Sequence, residues 1–252
     1  MQRILPFLIL ILFSGCTSGG DNGIYSPADS LYQPDRESEH FKVTVYGIIP
    51  AAASDSILNK LERNYLRVCN EILGRPAERK TEIKVWAGQQ QFYDDMKKDL
   101  GIIYYGSGGY VYGPYEARIL YSSPASVSQA ALHEFCHCVT IMLNRTIPNN
   151  PRWLWEAAAI YESGEFIHPR SISRLTQGNF PSMEELNRDF NQGGQIIYQV
   201  GYLLADYIIT TFGFEKFRSL IISNGNIARD LFLTEEQFTA EWKKFIQNKY
   251  SI

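Results

Sequence analysis

Phe41-Lys42-Val43-Thr44-Val45 alternates apolar with polar positions, the period of a strand with one buried face. The spacing then changes. Ile57, Leu61, Tyr65, Val68 and Ile72 recur every three or four positions, which predicts a helix stopped by Gly74. Alternation returns in Glu82-Ile83-Lys84-Val85-Trp86 as a second strand; residues 89–100 read as a helix, and residues 110–121 as one or two further strands. The run Gly106-Ser107-Gly108-Gly109 just ahead of them lacks the Lys-Ser/Thr of a phosphate loop and opens no helix, so it reads as a mobile turn. From Ser126 onward the pattern is mostly helical. It is broken by the turn Pro148-Asn149-Asn150-Pro151, resumes as a helix over residues 153–164, and ends in a helix whose Thr234-Glu235-Glu236-Gln237 start fits a capping box ahead of Phe238, Trp242 and Phe245. These elements predict an α+β fold. A mixed sheet with helices occupies an N-terminal lobe, residues 39–145, which ends in a central helix, and a mostly helical lobe covers residues 146–252.

The N-terminus reads differently. Arg3 precedes an apolar run over residues 4–13 that is too short to span a bilayer, the form of a signal peptide covering residues 1–15. The run ends in Ser14-Gly15-Cys16, which resembles the lipobox of bacterial lipoproteins, with Phe13 standing where leucine is usual. That resemblance implies export, lipidation of Cys16 and attachment to a membrane of the bacterial cell envelope, with ordinary secretion as the alternative. Residues 16–38, rich in Ser, Gly, Asp and Pro without apolar periodicity, then serve as a tether, and the fold begins near His40.

Composition narrows the partners. The formal charge of −3 is near balance and no basic block occurs, so nucleic acid is not an expected partner, and lipid rather than charge would hold the chain at a membrane. Of the four cysteines, Cys136 and Cys138 lie two apart on a helix and face different directions. Buried thiols are favoured over a disulfide from Cys69 to one of them. Asn144-Arg145-Thr146 has the form of a glycosylation sequon, for which a helix-end asparagine is an equal explanation.

The chemistry concentrates in His133-Glu134-Phe135-Cys136-His137. On a helix this spacing turns two imidazoles the same way with a carboxylate beside the first, an arrangement suited to one zinc ion. Catalytic zinc takes three protein ligands and keeps a fourth position for water. Glu156, near the start of the helix after the proline turn, is the candidate third ligand; taken alone, it is equally a carboxylate placed where the helix dipole favours it.

With eighteen residues between His137 and Glu156, the H-E-x-x-H and Trp153-Leu154-Trp155-Glu156-Ala157-Ala158-Ala159 segments resemble the gluzincin zinc peptidases. They are similar in particular to the aminopeptidase N-like branch and its small peptidase MA-like relatives, with Ala157 where the family usually has glycine. Tyr198-Gln199-Val200-Gly201 resembles the Y-x-x-G of the same branch. The resemblance implies a zincin-like fold and one zinc ion per chain on His133, His137 and Glu156. It implies Glu134 as general base, Tyr198 as donor to the oxyanion, and an edge strand above the metal that aligns a substrate backbone. Residues 117–121 are the candidate for that strand, through Ala117, Ile119 and Tyr121. The G-x-M-E-N segment by which the aminopeptidases hold a free amino terminus is missing; Glu116 lies only seventeen residues before His133 and lacks the surrounding pattern. An endopeptidase acting on peptide or unfolded protein is therefore the leading expectation. The alternatives are a lipid-anchored binding or assembly module with an idle or structural zinc site, closed by Cys136 or Cys138, and a zinc hydrolase of cell-wall amides. Glu162 is expected to be a solvated helix carboxylate, and His168 a loop residue unrelated to catalysis.

Overall fold

The computed structural model describes residues 7–9 and 36–252; Cys16 and the rest of the expected leader and tether up to residue 35 lie outside them. The strands are β1 (Phe7–Ile9), β2 (Arg36–Glu37), β3 (Phe41–Tyr46), β4 (Thr81–Trp86), β5 (Gly109–Val111) and β6 (Glu116–Leu120). Helices α1 (Ala51–Val68), α2 (Gln89–Leu100) and α3 (Pro124–Leu143) are interleaved with them. The rest is helical: α4 (Arg152–Ser163), α5 (Ser173–Thr176), α6 (Met183–Asn187), α7 (Ile196–Phe212), α8 (Phe214–Ile222), α9 (Ile227–Leu231) and α10 (Glu235–Tyr250). The fold is α+β, and its elements lie close to where the periodicity puts them.

The mixed sheet runs β1-β5-β6-β4-β3-β2, with β3, β4 and β6 parallel and the other pairs antiparallel. Its register explains the alternation in the sequence. Val43, Ile83 and Ala117 stand side by side on neighbouring strands, as do Val45, Val85 and Ile119, and all six are buried. Between these rows the same strands offer Lys84 and Arg118 to carboxylates: Lys84 pairs with Glu116 at 3.0 Å, and Arg118 with Glu116 at 2.6 Å and with Asp99. A second apolar cluster of Trp86, Phe92, Tyr93, Met96 and Tyr110 secures α2.

The described residues form two compact units, those up to residue 64 with 79–134, and residues 65–78 with 135–252; helix α3 is continuous through the change at Glu134. In the second unit, α1 passes after Val68 into a π-helical turn, Cys69–Leu73, that Gly74 ends at φ 76°. Glycine suits this left-handed position because it has no side chain to clash. Helix α7 lies close on α4. A Cβ at Gly201 would stand 2.7 Å from Ile160 Cδ1 and 3.3 Å from Ala157 Cα, so the glycine on α7 makes room for α4 at Ala157. Thr234 and Gln237 form the expected capping box of α10, and Phe238 of that helix packs on Trp153 and Tyr207 at ring separations of 5.7 and 5.4 Å.

The three described cysteines are buried thiols. Burial pushes Cys69 up to about 11 and Cys136 well above its ordinary value, so neither is a reactive thiolate near neutral pH. Asn144 donates to the Ile221 carbonyl at 2.7 Å and accepts from Thr146, so the sequon-like triplet serves the fold.

Candidate metal centre

Helix α3 supplies the first half of the centre. Its residues from Ala130 to Thr140 are buried on every side, as expected of a helix apolar around most of its circumference. His133, Glu134 and His137 are the imidazole and carboxylate side chains within that run, and each is 0% exposed. Burying such groups is costly unless they have a specific task or partner. Helix α4 supplies the rest. Its chain enters through Pro151 in an extended conformation, and Gly164 caps its other end in the left-handed region. Glu156 is 1% exposed and lies one turn in.

His133, His137 and Glu156 come together as the sequence reading expects: each offers one ligand atom, and all three atoms lie within 4.8 Å of one another. Glu156 Oε2 is 3.8 Å from His137 Nε2. Two imidazole nitrogens and a carboxylate oxygen form a donor set suited to a divalent metal, and it is the set that catalytic zinc takes in some hydrolases. Among the described residues no cysteine belongs to this group. The ring of Trp155 lies 4.0 Å from that of His137, centroid to centroid, at 30°, so the indole fixes the imidazole plane. The hydroxyl of Tyr198, on α7, donates to Glu156 Oε1 at 3.0 Å and accepts from Arg152 Nη2 at 3.2 Å.

No family model matches the chain, and no match is found among curated proteins or solved structures.

Several expectations are corrected by the geometry. Strand β6 is not an edge: it pairs with β4 on one side and β5 on the other, Ala117 and Ile119 are 0% exposed, and Tyr121, just past its end, donates its N–H to the Trp86 carbonyl at 2.8 Å. Its backbone groups are already committed and cannot align an extended peptide. The glycine run is not a loose turn either. Ser107, Gly108 and Gly109 are buried, and Ser107 Oγ donates to the Gly109 carbonyl at 2.7 Å. A Cβ on Gly109 would lie 2.8 Å from Glu134 Cδ and 3.0 Å from its Cγ, so this strand backbone is the wall against which the carboxylate rests. If Glu134 is the general base that the sequence leads one to expect, Gly109→Ala should displace it and lower peptide hydrolysis on the order of 10²-fold, within the range for a misplaced general base. Metal content measured on the same protein should stay at the wild-type level; equal activity in the two proteins would show that the wall is unimportant.

Glu162 is the third correction. Its side chain is 0% exposed and accepts from Arg67, which also donates to Glu71 at 2.9 Å. Burial pushes the Glu162 carboxyl up to about 8 against the opposing pull of Arg67. Arg67 keeps 39% of its side chain exposed, where solvent screens its charge, so burial dominates. The folded-state value lies above the ordinary 4.5, so the stabilisation is complete below about 4.5 and is lost as pH rises through about 8. Chemical denaturation from pH 5 to 9 should show stability falling by on the order of a few kcal/mol, and Glu162→Gln should flatten that slope. A slope identical in both proteins would assign the pH dependence elsewhere. His168 matches its expected role outside the centre: its Nδ1 caps a short 3₁₀ turn by accepting from the Arg170 N–H.

Arg152, Trp155 and Gly109 are the residues whose part in the centre the sequence does not disclose. Two carried a signal: Arg152 stands four residues before Glu156 on the same helix face, and Gly109 opens a strand, where a glycine marks close approach.

Proposed function

We propose that the chain is a zinc-dependent peptidase of zincin-like fold, acting as an endopeptidase on extended peptide. The observation that carries this reading is the buried His133, His137 and Glu156 group with the Glu134 carboxylate on the same helix as the two histidines. A zinc ion held by these three residues would supply Lewis acidity to a water molecule and to the scissile carbonyl. Glu134 accepts the proton of the attacking water and delivers it to the departing amine nitrogen. Tyr198 turns its hydroxyl from Glu156 Oε1 to the carbonyl oxygen as negative charge develops there. Trp155 holds the His137 ring in the orientation the ligand needs.

Strand β5 is the element that aligns the substrate. It bears Gly109 beside Glu134; its outer side pairs antiparallel with Phe7–Ile9, which fall in the expected signal peptide, so removal of residues 1–15 would free this edge for a substrate strand in the same register. Peptide backbone added there is recognised by main-chain hydrogen bonds. The expected export and lipidation at Cys16 would place this activity on a bacterial envelope membrane. A three-ligand group without cysteine favours this reading over a closed structural zinc site.

The test is metal analysis of the purified protein together with cleavage of a peptide library, before and after a chelator and again after zinc is restored. Cleavage that follows the metal supports the peptidase. Stoichiometric zinc with no cleavage of peptides, or cleavage confined to wall-type amides, would transfer the site to a binding module or an amidase.

A further inference from the structure

Arg152 has no part in the usual ligand arithmetic, yet it is only 5% exposed and lies against the centre. A cation at the first position of a helix opposes the helix dipole, and burying a guanidinium costs several kcal/mol unless its hydrogen bonds are met. The surroundings meet them. Nη1 donates to the carbonyls of Gly194 at 2.7 Å and Arg188 at 3.1 Å. The loop that brings these carbonyls together is closed so tightly that a Cβ on Gly194 would stand 2.8 Å from the Arg188 carbonyl carbon. Nη2 donates to Tyr198 Oη at 3.2 Å and lies 3.9 Å from Glu156 Oε1, while Cζ sits 5.4 Å from the tyrosine ring centroid.

We infer that Arg152 is a positioning residue of the metal centre: until substrate draws the Tyr198 hydroxyl away, it holds that hydroxyl on Glu156 Oε1, which leaves Oε2 directed toward His137. The inference rests on the metal-centre reading. The chain of donors has one direction, from guanidinium to phenol to carboxylate, and one end is anchored to backbone. Glu156 is thereby fixed about its own side-chain torsions without a direct bond from the arginine. Such outer partners typically change metal affinity 10- to 100-fold when removed. Lysine cannot replace the fork, because a single ammonium does not reach two carbonyls and the phenol together.

The experiment uses the full chain and its Arg152→Met, Arg152→Lys, Tyr198→Phe and Arg152→Met/Tyr198→Phe variants. Each is loaded with cobalt(II) for its visible absorption spectrum and titrated with zinc against a chromogenic chelator. Arg152→Met and Tyr198→Phe should each weaken zinc binding at least 10-fold and alter the cobalt spectrum in the same sense. The double variant should be no weaker than the weaker single, because the two residues act in series. Arg152→Lys should fail to restore the spectrum.

Additive losses, or an unchanged cobalt spectrum and zinc affinity in Arg152→Met with only a lower melting temperature, would assign Arg152 to the loop and overturn the inference. Tyr198→Phe leaves the bonds to Gly194 and Arg188 intact, so it decides the matter even if Arg152→Met does not fold: unchanged metal binding in Tyr198→Phe overturns it as well. A wild-type protein that takes up neither cobalt nor zinc removes the metal-centre reading together with this inference. Wild-type protein that binds metal but cleaves no peptide removes only the peptidase, since every readout here is metal binding.

Discussion

Glu134→Gln is expected to reduce peptide cleavage by roughly 10³-fold, within the 10² to 10⁴ range for loss of a general acid or base, while zinc content stays at the wild-type level. The substitution conserves shape, which matters where the carboxylate packs against Gly109 and has 0% exposure. Glutamine retains that packing and cannot take a proton from water near neutral pH. Glu134 lies outside the ligand group, so metal affinity and melting temperature should move little. Two measurements on one preparation therefore separate chemistry from binding: metal analysis and the turnover of a cleaved peptide. Comparable turnover by the two proteins would remove Glu134 from the mechanism.

His137→Ala should remove the metal and the activity together. It deletes one of the three side chains that, among the described residues, could together hold a metal, and also the ring that Trp155 faces at 4.0 Å. The readout with the largest expected change is thermal. A ligand present at about 1,000 times its dissociation constant stabilises the folded state by about 4 kcal/mol. Each kcal/mol is worth about 2–4 °C in a domain of 150–250 residues, so zinc should raise the wild-type melting temperature by on the order of 10 °C. His137→Ala should show no such rise, and a chelator should abolish it in the wild type. A zinc-dependent shift of equal size in His137→Ala would mean that the metal binds elsewhere. The same variant separates the zinc effect from that of Glu162, whose titration should persist without metal.

Local pattern goes a long way in this chain. The period-two run at β3, the helical run ending at Gly74, the capping box of α10 and the His133/His137 spacing all depend on neighbours within about one or two turns, and the structure reproduces each. Glu156 was also legible, since a proline turn followed by a helix start limits where the next carboxylate can point. Strand order was not. The alternation within residues 116–120 is the same for an edge and an interior strand, and only the pairing of β6 with both β4 and β5 makes it interior. Glu162 misled for a related reason: a glutamate on a helix reads as solvated until a second element, here Arg67, covers it.

The sequence by itself determined the element types and the side chains of the metal group, because helical and strand periods and ligand spacing are properties of short segments. Only the tertiary structure decided which residues hold that group in place. Trp155 against His137, the Gly109 backbone against Glu134 and the path from Arg152 through Tyr198 to Glu156 are contacts of shape and direction. The path runs between residues up to 46 positions apart, and its two carbonyl anchors lie 36 and 42 positions from Arg152. No local rule specifies such pairings, since they are fixed by the packing of whole elements and the closure of the loops between them.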